Sequence, residues 1–244
     1  MVAQRVRLDQ ELVAQGLVAS RARAQAMLRA GLVLLNGETA DRPDRLVEPG
    51  VKLELRGSAT YVSRGGEKLS AALDVFGLPV RGRACLDVGA STGGFTDVLL
   101  QRGAASVIAL DVGYGQLAWS IRQDPRVTVL ERVNVRHLER LPSPADLAVI
   151  DVSFISLRLV LPAVRQLLLN PAEVVALVKP QFEVGRGAVG KGGIVHDVEQ
   201  HRMVLEGLTE FSRQSGFEVA GETSSPLLGA KGNREFFLYL RKHD

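Results

Sequence analysis

The sequence is poor in the residues that build disulfide, zinc or membrane chemistry. Cys85 is its only cysteine, so no internal disulfide can form, a pattern that fits a reducing cytoplasm. That cysteine and four scattered histidines do not make a Cys/His zinc site. No apolar run approaches the roughly 20 residues needed to cross a bilayer, which argues against a membrane protein. The opening stretch, Met1 to Val13, has charges where a secretory signal needs a long apolar segment and a small-residue cleavage site. Internal repeats and low-complexity tracts are also missing. Strong charge is absent too, since the formal net charge is only +3.

The placement of that charge is more informative than its size. Residues 1–68 hold 11 Lys+Arg and 8 Asp+Glu, and the remainder is balanced. The positive excess therefore sits in the first quarter of the chain, as a local anion-binding face or a solvated surface. A length of 244 residues allows one large domain with one small one.

The first segment reads as two short helices and a small sheet. Arg7 to Leu17 has helical apolar spacing, and Gly16 stops it. Ser20 is a candidate N-cap for Arg21 to Arg29, followed by Gly31. Leu32 to Leu35 then meets Asn36-Gly37, a hairpin signal. Val51 to Leu55 alternates like a strand. Leu8-Asp9, Ser20-Arg21-Ala22, Ala26, Gly31-Leu32-Val33, Asn36-Gly37 and Val47 to Gly50 together resemble the S4-type RNA-binding domain. Arg5, Arg7, Arg21, Arg23 and Arg29, with Arg64 beyond them, are the candidate phosphate contacts; such contacts position RNA without reading its sequence. The bland alternative is a helical cap with solvated arginines.

Residues 58–66 read as a Gly-containing linker between domains at 1–57 and 67–244. Glu67 to Phe76 has helical spacing. Beyond Gly82 strands and helices alternate, with strands expected at 84–88, 106–110, 127–130, 147–150, 174–178, 217–221 and 236–240. That succession predicts an α/β fold with a mostly parallel seven-stranded sheet.

The densest motif is Asp87-Val88-Gly89-Ala90-Ser91-Thr92-Gly93-Gly94-Phe95, a buried strand running into a small-residue loop and a helix. Glycines let a backbone approach a ligand closely, and ligands of open α/β sheets sit at such strand ends. The spacing is not Gly-x-Gly-x-x-Gly. It resembles the first motif of class I S-adenosylmethionine methyltransferases, Rossmann-like enzymes whose cofactor is cationic, which suits Asp87 at the loop mouth. Asp111-Val112 ends the next strand, 24 positions after Asp87, where an acidic residue can accept from ribose hydroxyls. Asn134-Val135 resembles the adenine-edge position, though Asn134 also fits a plain turn.

Asp151 and Lys179 each end an apolar strand at the same expected sheet edge, Lys68 opens the helix before the sheet, and Glu235 precedes the last strand. Desolvation would favour a neutral Lys179 amine, an accessible base, whereas a neighbouring carboxylate would hold it charged. Alone, each has a bland reading as a surface charge or ion pair. In type and order the four resemble the Lys-Asp-Lys-Glu tetrad of FtsJ-related ribose 2′-O-methyltransferases. The strings Tyr61 to Leu69, Asp87 to Asp97, Asp151 to Ser156, Leu177 to Gly185 and Gly232 to Glu235 look like the TlyA family, known both as hemolysin A and as rRNA methyltransferases.

The resemblance spans nearly the whole chain. It implies S-adenosylmethionine as cofactor, Asp87 to Phe95, Asp111, Val112, Asn134, Val135 and Asp151 around it, and methyl transfer to a cytidine ribose in ribosomal RNA. Lys179 would take or polarise the hydroxyl proton, with Asp151, Lys68 and Glu235 orienting. No metal is needed for a sulfonium donor. Family members with extended termini are associated with both ribosomal subunits and shorter ones with the large subunit; the few residues before Arg5 and after Leu240 point to the short class. The Gly-rich stretch Val184 to Val195, with Lys191 and His196, fits a substrate loop. Competing readings are a membrane-active cytolysin, a non-catalytic RNA-binding assembly factor and a dinucleotide-dependent oxidoreductase. The first needs an apolar or strongly amphipathic segment, the second a broken tetrad and the third a different loop spacing. Oligomeric state is not legible.

Overall fold

A computed structural model describes residues 5–18, 20–29, 31–55, 60–185, 189–190, 192–229 and 232–243. The chain divides into two compact units, residues 1–64 and 65–244. The expected boundary at 57, the first linker residues 58 and 59, and Lys191 lie outside the described residues.

In the first unit, α1 (Leu8–Ala14) and α2 (Arg21–Arg29) bury Leu8, Leu12, Ala24 and Leu28. They share a core with β2 (Val33–Leu35), β4 (Leu46–Val47) and β5 (Leu53–Leu55). The Ser20 hydroxyl accepts from the Arg23 amide at 3.3 Å, as an N-cap does. Asn36 and Gly37 both take positive φ, 52° and 86°, joining β2 to β3 (Glu38–Ala40) antiparallel; a two-residue turn of this hand matches the strand twist. β1 (Val6–Arg7) pairs with β4. Glu11 on α1 is buried and its Oε1 accepts from Gly50 N at 2.8 Å, tying the helix to the Pro49-Gly50 turn.

The second unit is built on seven strands: β6 (Ala84–Val88), β7 (Ser106–Asp111), β8 (Val127–Glu131), β9 (Leu147–Ile150), β10 (Ala172–Val178), β11 (Phe217–Ser224) and β12 (Phe236–Lys242). Their order is β11-β12-β10-β9-β6-β7-β8, parallel except for β12, which runs antiparallel to both neighbours. β6, β9 and β10 are apolar along nearly their whole length, as strands covered on both faces must be. One face packs against α6 (Leu157–Leu167) and α8 (Val198–Gln214). On the other, Phe95 of α4 (Gly94–Gln101) meets Phe237 at 6.3 Å between ring centroids, and Phe76 of α3 (Arg64–Phe76) meets Tyr239 at 5.3 Å. Cys85 is buried within β6, and burial pushes its thiol up to about 12.

One expected boundary shifts. α3 begins at Arg64, so residues 64–66 of the expected linker are helical. Arg64-Gly65-Gly66 reads locally as flexible, but Gly66 is buried in the first turn of a helix whose Leu69 and Leu73 face the core, and packing outweighs glycine's low helix propensity.

Candidate active site

Strand order reverses between β6 and β9: β7 and β8 follow outward from β6, and β10 follows from β9 on the other side. At such a switch point the loops leave in opposite directions and open a crevice at the carboxyl ends of the strands. A cavity of about 450 Å³ lies there, lined by the ends of β6 (Val88, Gly89), β7 (Leu110, Asp111, Val112) and the segment after β9 (Asp151 to Ile155). Ser91, Gln116, Asn134, Val135 and Val160 complete the wall.

The loop after β6 is shaped by glycines that nothing else can replace. Gly89 has φ +87° and passes so close to the next strand end that a Cβ would lie 2.4 Å from the Asp151 carbonyl oxygen. Gly93, φ +94°, caps α4, and a Cβ there would meet Leu117 at 2.9 Å. Asp111 fixes the rim: its carboxylate accepts from Ser91 N at 2.8 Å and Gly113 N at 2.6 Å. Asn134 both caps and lines. Its side chain accepts from Arg136 N at 3.1 Å, starting the 3-10 turn Val135–His137, while the residue faces the cavity.

Asp87 departs from its expected place at the loop mouth. Its carboxyl is fully buried beneath the loop and faces α4, where the Thr96 hydroxyl donates to Oδ2 at 2.6 Å. Alternation along β6 sends Asp87 to the α4 side and Val88 to the cavity wall. Burial pushes the carboxyl up to about 7; the Thr96 hydrogen bond opposes the rise and the nearby Asp151 charge adds to it. Oδ1 is buried with no hydrogen-bond partner among the described residues. Ala90, Thr92, Gly93, Gly94 and Phe95 shape the loop and the start of α4 and do not line the cavity; Phe95 is core.

The four residues of the expected tetrad form two ion pairs. Lys68, on α3, lies 2.6 Å from Glu235, which is buried just before β12. Lys179, just after β10, lies 2.5 Å from Asp151 and donates to Ser153 Oγ at 2.9 Å. Register explains the second pair: β9 and β10 run parallel with Ile150 opposite Ala176, so both chains leave the sheet at one edge.

Three features of this edge escape sequence reasoning. Phe154 lines the cavity with 91% of its surface exposed and φ +64°, and its ring lies 5.1 Å from that of Phe182. A bulky residue held in the left-handed region and left in solvent is an outlier worth a functional reading. Glu183, in α7 (Pro180–Glu183), accepts from Ser156 Oγ at 2.6 Å and Leu157 N at 2.8 Å, and so clamps the two segments that follow β9 and β10. Burial raises its carboxyl, against those two hydrogen bonds. Gln116 and Ser153 also line the cavity. No local pattern announces any of these, because each depends on a partner far along the chain.

Of the six arginines, Arg5, Arg21, Arg23, Arg29 and Arg64 are exposed and Arg7 is half-buried. Two of them, Arg7 and Arg21, converge on the buried Asp9, both at 3.0 Å, with side chains 36% and 50% exposed. Burial alone would raise the Asp9 carboxyl; hydrogen bonds from Arg7, Gln25 and Arg21 outweigh it and hold the group well below the usual carboxylate range.

Comparison with known proteins places this geometry. Residues 61–242 match the model of the FtsJ-like methyltransferases, and residues 6–53 match the S4 domain. A 16S/23S rRNA (cytidine-2′-O)-methyltransferase TlyA of Mycobacterium tuberculosis is 49% identical over 244 residues, covering 98% of this chain and 91% of that protein. Hemolysin A of Brachyspira hyodysenteriae is 40% identical, covering 96% and 99%. The solved structure of a hemolysin from Streptococcus thermophilus superposes with a TM-score of 0.79 at 47% identity, covering 98% of this chain and 89% of that one. With its S4 domain, its mostly parallel seven-stranded sheet and its cavity at the switch point, the chain belongs to the TlyA family of S-adenosylmethionine-dependent, FtsJ-like methyltransferases.

Proposed function

We propose that this chain methylates the ribose 2′-hydroxyl of a cytidine in ribosomal RNA, acting in the cytoplasm on the RNA of ribosomal subunits. The observation that carries the reading is the Lys179–Asp151 pair at the lip of a cavity suited to S-adenosylmethionine, with Lys68–Glu235 on the neighbouring strand end. The bound cofactor supplies a methyl group on a sulfonium, an activated leaving group. Asp111 and Asn134 would hold its ribose and adenine, while Asp87, buried beneath the loop and bonded to Thr96, would support the loop that the cofactor lies against.

The chain's own work is to hold and deprotonate the hydroxyl. A ribose 2′-OH is a weak nucleophile, and Lys179 takes or polarises its proton. Asp151 and Ser153 fix the Lys179 amine from two sides. Lys68, held by Glu235, orients the same hydroxyl. Holding near-attack geometry can be worth about 7–11 kcal/mol, against roughly 10²–10⁴-fold for general-base help, so positioning carries the larger share. The N-terminal unit, with a proposed extent of residues 1–57, would grip RNA backbone through Arg5, Arg7, Arg21, Arg23 and Arg29, with Arg64 at the start of α3, where the catalytic domain takes over from the linker.

The hemolysin name of some relatives suggests membrane attack, but among the described residues no helix is long and apolar enough to cross a membrane. The test is to incubate the protein with labelled S-adenosylmethionine and unmodified large subunits, small subunits or naked rRNA, and to map the label. A 2′-O-methylcytidine in rRNA is expected. Absence of label in all three would overturn the reading.

A further inference from the structure

The Gly-rich segment leaves the end of the element that follows Lys179 and returns at Val195, and its return limb is gripped by distant side chains. Val195 is buried, and both of its backbone groups are taken. Its N–H donates to Asn233 Oδ1 at 3.0 Å, and its carbonyl accepts from His201 Nε2 at 2.9 Å. A carbonyl can only accept, so Nε2 carries the proton. The same Asn233 donates from Nδ2 to the Gly193 carbonyl at 2.9 Å. Asn233 is 2% exposed, so its amide pairs with two backbone groups of opposite polarity away from water. Aspartate has no donor for Gly193 and an aliphatic residue has nothing for either, and a buried group left unpaired costs its desolvation.

The clamp joins directly onto the turn that presents Glu235. The Asn233 carbonyl accepts from Gly229 N at 2.8 Å, closing that turn. Gly229 packs so tightly that a Cβ would lie 1.9 Å from Glu235 Oε1. His201 packs edge-on against Phe236, the residue after Glu235, at 5.5 Å. None of these hydrogen bonds reaches Lys179 or Asp151, and neither Asn233 nor His201 lines the cofactor cavity.

We propose that Asn233 is a positioning residue of the transferase, supported by His201: it docks the return limb of the Gly-rich segment onto the Glu235 turn, so that limb and Lys68–Glu235 pair form one unit. The inference rests on the ribose-methylation reading of the site. RNA that engages the Gly-rich segment then acts on the Lys68–Glu235 half of the site, and loss of the clamp lowers turnover without loosening the cofactor.

The test compares full-length wild type with Asn233→Asp, His201→Leu and His201→Gln. Each is measured for melting temperature, S-adenosylmethionine Kd by calorimetry, and kcat and KM for unmodified subunits well below its melting temperature. For Asn233→Asp the expected result is a Kd within about threefold of wild type, a KM shifted less than threefold, and a kcat at least tenfold lower. His201→Leu should follow it, while His201→Gln, whose amide can still donate to Val195, should recover most of the turnover. Wild-type kcat in folded Asn233→Asp, or parallel loss of cofactor affinity and rate, would overturn the proposal. If Asn233→Asp does not fold, the His201 pair decides: recovery by Gln alone supports the clamp, and equal behaviour of Gln and Leu refutes it. A wild-type protein that labels no RNA would sink the methylation reading itself, a result separate from any failure of the variants.

Discussion

Gly89 and Asp151 touch where a side chain would not fit: a Cβ on the glycine would stand 2.4 Å from the Asp151 carbonyl oxygen. The loop after β6 and the segment bearing Asp151, the carboxylate proposed to act in catalysis, thus meet at a backbone-to-backbone approach. Gly89→Ala therefore carries two penalties, the positive φ of +87° and the clash. Strain of this kind costs on the order of 1–3 kcal/mol, so calorimetry should find weakened S-adenosylmethionine binding together with a lowered melting temperature. An unaltered Kd would mean that the loop is free to shift.

Lys179 and Asp151 are expected to separate binding from chemistry. Lys179→Ala removes the proposed proton acceptor but no wall of the cavity. Its S-adenosylmethionine affinity should stay within a few fold of wild type while single-turnover transfer falls by at least about 10²-fold, the lower end of general-base contributions. Lys179→Arg should not rescue, because a guanidinium cannot give up its proton at neutral pH. Substantial transfer by Lys179→Ala would remove it from the mechanism.

Asp87 makes stability depend on pH in an uncommon direction. Its folded value of about 7 lies above its ordinary 3.8. Below about pH 4 the group is neutral in both folded and unfolded chains. Between 4 and 7 the unfolded chain ionises first, so this group's contribution to stability falls as pH rises. Asp87→Asn should therefore melt higher than wild type at pH 7.5 in the absence of cofactor, with the gap closing towards pH 4, while binding S-adenosylmethionine more weakly. Thermal melts of the two proteins across that range decide it; a gap constant with pH would contradict the assigned environment.

Phe154 exchanges stability for contact. Its ring is exposed and its backbone is in the left-handed region, where glycine sits without strain. Phe154→Gly should leave the melting temperature unchanged or raise it, yet raise KM for RNA, because an exposed aromatic at the cavity lip is a stacking surface for an unstacked base, worth about 1–3 kcal/mol per base. Unchanged KM would leave the ring without that role.

The arginines of the first unit fall into two groups. Arg23→Glu and Arg29→Glu alter exposed side chains and should weaken RNA binding, reduce its salt dependence and leave stability alone. Arg21→Glu should also destabilise the unit, since Arg21 neutralises the buried Asp9. The low folded value of Asp9 stabilises above its ordinary pKa, and that contribution is lost as pH falls. Salt-titrated binding and urea melts read the two effects apart.

Much of this was legible in the sequence. The seven strands, the Asn36-Gly37 hairpin and the glycine loop follow from periodicity and turn chemistry, which are local. The tetrad was legible only by likeness to a family, and its division into two ion pairs was not legible at all, since nothing in the chain says that Lys68 meets Glu235, 167 positions away. What escaped reading depends on distant packing: the burial of Asp87 against Thr96, the tie from Glu183 to Ser156, the Asn233 clamp, and the capture of Arg7 and Arg21 by Asp9. A charge pattern shows how many cations there are, not which of them an internal carboxylate already holds.

The single thiol is placed to report on opening of the sheet. Cys85 sits in β6 with neighbours on both sides, opposite Val107 and Leu147, and burial leaves it scarcely ionised near neutrality. Only the thiolate reacts, so an alkylating reagent must wait for the sheet to open. The rate of Cys85 labelling is therefore a built-in clock for opening of the catalytic unit. Its slowing by S-adenosylmethionine would report cofactor binding free energy with no RNA and no engineered probe.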